Sequence, residues 1–270
     1  MKQILMVFAL GFLLFSCNND GEIMNNQNNL PLVTKMSYPI FNSENPTQLI
    51  YFAYDNSNRL TKKTGGFLQL ATTTGYSGFF TNEIYTTLVY ENNKVTVEDF
   101  TTSVVFTVPK NTRYFTLNSA IQIEQKVIPN TYNIYWSKNQ VFDYSNEKLQ
   151  EIKTTFPNMP YDSTDPNDYL LTYSEKFYYD SSGNLSKTEY FEQHNGINKG
   201  EKIVRIFENY DKGLNPWKRF HLLDEYFYRS ISKNNYRKYT EVHYNNEIIT
   251  SSNEVNWTFS YDSNGNILTN

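Results

Sequence analysis

The sequence predicts an all-β chain: an antiparallel up-and-down meander of about 12–16 strands, strongly curved or barrel-like, built from repeated hairpins. Three observations predict it. Helical periodicity is scarce along the 270 residues, while aromatic or β-branched residues alternate with polar ones at period two. One hairpin unit recurs. The aromatic share is 17 %, including 23 Tyr and 19 Phe, and these residues suit pleated, half-buried surfaces.

The chain begins with Met1-Lys2-Gln3, which holds the only early positive charge. Ile4 to Phe15 then runs for twelve residues with nothing polar, ending at Ser16-Cys17. As a helix this run covers about 18 Å, well short of the ~30 Å hydrocarbon core. It therefore reads as the apolar part of a signal peptide over residues 1–16. Leu14-Phe15-Ser16-Cys17 resembles the lipobox of bacterial lipoproteins, with Leu three before the Cys and a small residue directly before it; Phe15 is bulkier than usual. The resemblance implies diacylglyceryl (palmitate-type) transfer to the Cys17 thiol, cleavage before Cys17 and N-acylation of the new terminus. Cys17 is the only cysteine, so it has no disulfide partner within the chain. Three acyl chains exceed the two signals that stable anchoring needs.

Residues 17–34 read as the lipidated Cys and a flexible Asn-rich tether, with NNDGEIMNNQNN over Asn18–Asn29. Asp20 and Glu22 resemble the surface-export signal of Bacteroidota lipoproteins. The expected address is the outer membrane or cell surface, with a periplasm-facing anchor as the alternative.

Residues 35–270 hold no linker or composition break and read as a single β-repeat domain. Phe177-Tyr178-Tyr179-Asp180-Ser181-Ser182-Gly183-Asn184-Leu185 is the clearest copy of the unit, and Phe259 to Ile267 is nearly identical. Phe52 to Leu60 is a third, with Asn58 in the Gly place. Shorter relatives surround Tyr90, Tyr144 and Tyr244, and Tyr210-Asp211-Lys212-Gly213-Leu214 is degenerate. Most spacings between these Tyr residues lie between 31 and 36, and the 54-residue gap from Tyr90 to Tyr144 has room for a hidden copy. Within each copy the Tyr ends a strand and Asp opens the turn by accepting from backbone N–H groups two residues on. Asn58, Gly183 and Gly265 then take φ > 0, in turns of three to five residues. Phe52, Leu88, Phe142, Phe177, Val242 and Phe259, each two before its Tyr, are expected on one inner face. Lys62, Lys187 and Glu189 are expected on the wet face.

The Tyr-Asp-x-x-Gly-Asn-Leu unit resembles the YD (RHS-type) repeat. Together with the lipobox it is similar to Bacteroidota lipoprotein families of unknown function with a porin-like fold. Those families carry no established catalytic residues, so the resemblance implies none here.

Composition excludes several classes. A mean hydropathy of -0.61 excludes a polytopic helical membrane protein. A net charge of -4 has the wrong sign for nucleic acid. No Gly-x-Ser-x-Gly is present, and His194, His221 and His243 lack zinc spacing. They read as strand-face or loop histidines, His194 at an exposed tip. No catalytic residue and no cofactor is implied. Asp162, Asp165 and Asp168 form the one calcium candidate, a solvated acidic loop being the plainer reading. Asp162-Ser163-Thr164 resembles a short O-glycosylation motif, with Ser163 as acceptor. Trp136, Trp217 and Trp257 are ligand-stacking candidates, against ordinary sheet packing; the Asn215-Pro216 break places Trp217 on a loop. The expected function is a non-enzymatic, lipid-anchored binding or structural β-domain whose partners are the membrane and a glycan or envelope protein. The alternative is an enzyme or accessory protein acting on envelope or extracellular glycans.

Overall fold

The computed structural model describes residues 32–37, 48–72, 75–104, 109–263 and 267–268, and their side chains except at 68–79. The alternating segments become fourteen strands. They are β1 (Lys35–Ser37), β2 (Leu49–Tyr54), β3 (Leu60–Thr72), β4 (Gly75–Glu91), β5 (Lys94–Thr101), β6 (Asn111–Leu117) and β7 (Ile123–Ile128). After them come β8 (Lys138–Ser145), β9 (Lys148–Thr155), β10 (Leu171–Tyr179), β11 (Leu185–His194), β12 (Ile197–Glu208), β13 (Lys238–Asn245) and β14 (Ile248–Asn256). They lie in sequence order in one sheet, each antiparallel to the next. Among the described residues β1 and β14 do not pair, so the sheet is curved but not closed.

In a meander every second turn lies at the same end. At the end reached by the even-numbered strands, three turns share one hydrogen-bond pattern. Asp55 Oδ1 accepts from the N–H of Ser57 and of Arg59. Asp180 Oδ1 accepts from Ser182 and Asn184, and Asn118 Oδ1 from Ala120 and Gln122. The fourth residue of each turn has φ > 0: Asn58 at 59°, Gly183 at 85° and Ile121 at 62°. Asn118 to Gln122 is therefore the copy inside the long gap, hidden because Asn replaces Asp and Ile replaces Gly. The turns after Tyr90 and Tyr144 are tighter than expected, with two residues each: Asn92-Asn93 and Asn146-Glu147. Asn146 and Glu147, at φ 50° and 62°, form the type I′ geometry that matches strand twist. Gly265 lies outside the described residues, although Tyr261 and Ile267 on either side of its turn form a bridge.

One assigned copy is out of phase. The turn after Tyr244 joins β13 to β14 and so lies at the opposite end of the sheet. Val242 pairs with Val204, whose neighbours Ile203 and Phe207 alternate onto the buried side. Val242 thus faces outward, contrary to expectation. The other five apolar partners, Phe52, Leu88, Phe142, Phe177 and Phe259, are buried in one cluster. Lys62 is exposed, and Lys187 and Glu189 pair on the outer face at 2.9 Å beside Tyr178.

The seventh copy explains the false period. Asp211 begins a turn like the others, accepting from the Gly213 N–H, but the chain then leaves. The partner that closes the turn is Asn235: its N–H donates to Asp211 Oδ1, and the Asp211 N–H donates to its carbonyl. Everything between is an insertion, made of 3-10 turns at Pro216–Phe220 and Asp224–Tyr226 and a short helix α1 (Phe227–Ser230). The insertion fills the concave face as a plug. Trp217 and Phe220 are fully buried, and Leu222, Leu223 and Tyr226 nearly so. Phe52 stacks on Phe220 at 4.4 Å, Phe142 meets Phe227 at 6.0 Å, Phe177 meets Tyr228 at 6.4 Å, and Phe207 meets Tyr228 at 5.5 Å. One small body touches β2, β8, β10 and β12 together only because the sheet curls around it.

Polar contacts fix its orientation. Asp224 receives Arg113 of β6 at 2.7 Å and Lys126 of β7 at 2.6 Å, and Glu225 pairs with Lys63 of β3. Burial works to raise the Asp224 carboxyl, and the two cations overcome it and hold its pKa below the usual value. The buried Arg229 guanidinium sits in an aromatic cage, 3.9 Å from the Tyr236 ring centre and 4.4 Å from that of Trp257.

Three substitutions test the turn and the plug. Ile121 is a β-branched residue in the left-handed region, so Ile121→Gly should raise stability by about 1 kcal/mol in urea unfolding. Gly183→Val should lower it, although a Cβ there meets nothing closer than 3.9 Å, because the strain is conformational. Phe220→Ala should cost about 3–5 kcal/mol.

Candidate functional site

The Asp-type turns and the plug occupy one end of the sheet. The long connections β5–β6, β7–β8 and β9–β10 gather at the other, where loops on a rigid scaffold carry binding. In the β7–β8 connection, Pro129 restricts the backbone and Asn130 Oδ1 accepts from the N–H groups of Tyr132 and Asn133. Asn133 then caps the 3-10 turn Ile134–Trp136 by accepting from the Tyr135 N–H. Asn158, from the β9–β10 loop, donates to the Ile134 carbonyl at 3.3 Å. Trp136 is held in place by these bonds and by an edge-on contact with Phe156 at 5.5 Å. Behind it Phe156, Tyr173 and Tyr190 continue the aromatic row across the inner face at 5.7 and 5.2 Å.

Trp136 and Tyr132 open onto a cleft of 480 Å³ between the β5–β6 and β7–β8 connections. Trp136 is 45 % exposed and Tyr132 81 %. Amide and hydroxyl groups of Asn111, Thr112, Asn130 and Thr131 share the cleft with Lys110 and Lys138. Its described lining includes no carboxylate, and Lys110 is already paired with Glu98 at 2.6 Å. The cleft therefore offers flat apolar faces, amides and hydroxyls, together with the Lys138 ammonium.

The other sequence candidates fall elsewhere. Trp217 is in an irregular segment, as its Pro indicates, but that segment is the plug and the ring is fully buried. It is a core residue and no ligand stacks on it. Trp257 is half-buried between Tyr236 and Arg229. The acidic loop does not gather for calcium: Asp168 Oδ2 accepts from the Asp162 N–H, Asp162 Oδ1 from Thr164 and Asp165 Oδ1 from Asn167. Among the described residues no group of three or more potential ligands converges, because the carboxylates cap their own turns. Ser163 is exposed in that loop. Cys17 lies outside the described residues.

The histidines separate. His194 is not at a bare tip; it ends β11, stacks on Tyr169 at 3.6 Å and lies 2.6 Å from Glu192. His243 sits 2.8 Å from Glu241, and that hydrogen bond raises its pKa. His221 is different. It lies in the plug, and neither ring nitrogen has a hydrogen-bond partner of good geometry. Burial pushes its imidazole down to about 4, with the Lys218 backbone acting in the opposite direction. Nothing in its sequence neighbourhood marks it, since its surroundings come from strands far along the chain. Tyr132 was also missed, although Pro129 and Asn130 just before it signal a built loop.

No protein-family model matches the chain, and no curated protein matches it. Among solved structures it is similar to a porin-like protein from Bacteroides uniformis, at 10 % identity and a TM-score of 0.46, covering 81 % of this chain and 80 % of that one. A porin-like protein from Bacteroides vulgatus is similar at 13 % identity and a TM-score of 0.41, covering 82 % and 84 %.

His221 sets a pH dependence. Its folded pKa lies below the unfolded value of about 6.5, so between about 6.5 and 4 the unfolded chain binds more protons. Stability should therefore fall across that window as pH drops, by about 3 kcal/mol in all, and be flat in this term above it. Lys126, Glu175 and Asp224 face the ring from one side, and Glu147, Lys148, Lys218 and Lys233 from the other. All are unchanged in His221→Gln, so subtracting the variant's urea-unfolding profile isolates the imidazole. Parallel profiles would contradict the assignment.

Proposed function

We propose that the chain is a lipid-anchored cell-envelope protein whose β-sheet binds a neutral glycan without transforming it. The observation that carries this reading is the Tyr132–Trp136 cleft: two exposed rings among amides and hydroxyls, with no carboxylate in the described lining. A sugar ring has an apolar C–H face that stacks on an aromatic plane and a rim of hydroxyls that pairs with amides. The cleft volume falls within the range usual for ligand sites, about 300–1,000 Å³. The resemblance of Leu14-Phe15-Ser16-Cys17 to a lipobox supports the anchor, and the Asn-rich run Asn18–Asn29 has the composition of a spacer behind it.

Binding is tested by titrating neutral oligosaccharides (gluco-, manno- and N-acetylglucosamine oligomers) while following tryptophan fluorescence. Trp217 is wholly buried and Trp257 packs against Tyr236 and Arg229, so a ligand-induced change that comes from the cleft is one lost in Trp136→Ala. Trp136→Ala should weaken binding at least tenfold, about 1.4 kcal/mol, without changing the unfolding midpoint. Affinity unchanged in that variant would remove the cleft from the account. Mass spectrometry of the mature protein from its native membrane should show an acylated Cys17 at the N-terminus; an unmodified Cys17 or cleavage elsewhere would remove the anchor.

A further inference from the structure

At the base of the sheet, the end away from the rim cleft, three lysines converge on one small cavity. Its volume is 50 Å³, several times the ~10–15 Å³ that a single water needs. The turns β6–β7, β8–β9 and β10–β11, which lie side by side at this end, supply Gln122, Asn146, Lys148 and Gly183 to its lining, and the plug supplies Lys218 and Lys233. Lys148 Nζ and Lys233 Cδ each lie 3.9 Å from the point where a Cβ on Gly183 would stand. The glycine thus leaves open the space toward which both side chains lean. Lys148 and Lys218 are half-buried and Lys233 is exposed, so the cavity meets solvent beside Lys233.

Where the plug meets β3, β6 and β7 the cations are matched: Lys63 pairs with Glu225, and Arg113 and Lys126 with Asp224. The three lysines of the cavity differ. Among the described residues none of them makes an ion pair, and Lys148 has only the Tyr179 ring, with its centre 5.6 Å away. Burial first, and then the Lys233 charge, hold the Lys218 pKa below its usual value. Glu147 is the one carboxylate among the described lining residues; it is exposed and pairs with none of the three. Asp180, which opens the β10–β11 turn, gives its Oδ1 to the N–H groups of Ser182 and Asn184. Three ammonium groups against one carboxylate make a local positive excess in a chain of net charge -4. A half-buried cation without a partner is costly until an anion joins it.

We propose that this cavity binds a phosphate group. A lysine ammonium is a point charge with three donors and no fixed plane. Three of them around one pocket suit a tetrahedral anion that carries close to two charges and several acceptor oxygens. A carboxylate is planar and singly charged, and its natural match is the guanidinium fork, which the described lining does not contain. The volume is far below the ~300–1,000 Å³ of sites that enclose a whole organic ligand. A phosphoryl group fits, and the rest of a phosphate ester would lie outside, beside Asn146 and Lys233. The same group is common to inorganic phosphate, a sugar phosphate and a glycerophospholipid headgroup. The site lies at the opposite end of the sheet from Trp136 and does not rest on the rim reading.

The test is titration calorimetry of the full chain in a non-ionic detergent with inorganic phosphate, glucose 6-phosphate and glycerol 3-phosphate, and with acetate as the planar control. At least one of the three phosphates should bind with a Kd of about 1 mM or tighter, and acetate at least tenfold more weakly. The tightest of the three identifies the source as free phosphate, a phosphorylated sugar or a lipid headgroup. Lys218→Met and Lys233→Met should each weaken that binding at least fivefold, whereas Lys187→Met, on the outer face, should leave it unchanged. The Lys218 ammonium has no partner to lose, so Lys218→Met should not lower the urea-unfolding midpoint. Lys233, exposed at the mouth, carries the same test without touching the core. Saturable binding by none of the three phosphates overturns the proposal. So does acetate binding as tightly as phosphate, or an equal loss in Lys187→Met, either of which would mean attraction by general charge. Phosphate binding should persist in Trp136→Ala, so failure here leaves the rim reading standing, and failure at the rim leaves this site standing.

Discussion

The structure depends on the packing of the sheet's inner aromatic row against the plug. A long meander with one wet face has no second layer of its own, and an apolar row on its concave side must be covered by something. The segment between Asp211 and Asn235 covers it. Phe52, Phe142, Phe177 and Phe207 come from strands spread across the sheet, yet each meets a plug ring. Curvature and core are therefore one event: the sheet curls to the radius at which its rings reach the plug. The cations Lys63, Arg113 and Lys126 meet Asp224 and Glu225, adding direction to what burial supplies in bulk. Full burial of each large plug side chain is worth about 1.5–3 kcal/mol. A handful of such residues matches the net stability of an ordinary domain.

Much of this was legible because it is local. Period-two alternation and turn chemistry need only neighbouring residues, so the strands, their order and the Asp-opened turns at Asp55 and Asp180 could be read directly. One error came from reading a period without tracking direction. An antiparallel meander makes only alternate turns equivalent, and Tyr244 lies 34 residues after Tyr210, which imitates the repeat. The insertion after Asp211 produces that spacing. Asn118 failed in the opposite sense, since its side chain performs the Asp role without being Asp. The plug was hardest to foresee. Trp217 and His221 look like loop residues because their segment is irregular, and only long-range packing makes them core. Of the rim cleft, Trp136 was visible as a candidate, whereas its isolation as the exposed tryptophan required knowing that the other two are covered.

The two ends of the sheet divide the work. At one end the turns and plug form a rigid, closed base, with Asp211 and Asn235 clasped and Arg219 reaching the Asn58 carbonyl at 3.1 Å. At the other end the long connections present Tyr132 and Trp136. A binding surface on such a base needs little reorganisation on contact, which favours affinity.

The central claim is that the plug holds the sheet in its curved form. Asp211 and Asn235 are hydrogen-bonded neighbours, with the Asp211 N–H donating to the Asn235 carbonyl at 3.1 Å. Residues 212–234 can thus be replaced by a short Gly-rich turn without straining β12 or β13. The decisive measurement is urea unfolding of that shortened chain, followed by near-ultraviolet circular dichroism. The account predicts loss of the aromatic signal and of a cooperative transition, with β content partly retained. A cooperative transition at the parent midpoint, with the aromatic signal of the remaining rings intact, would contradict it.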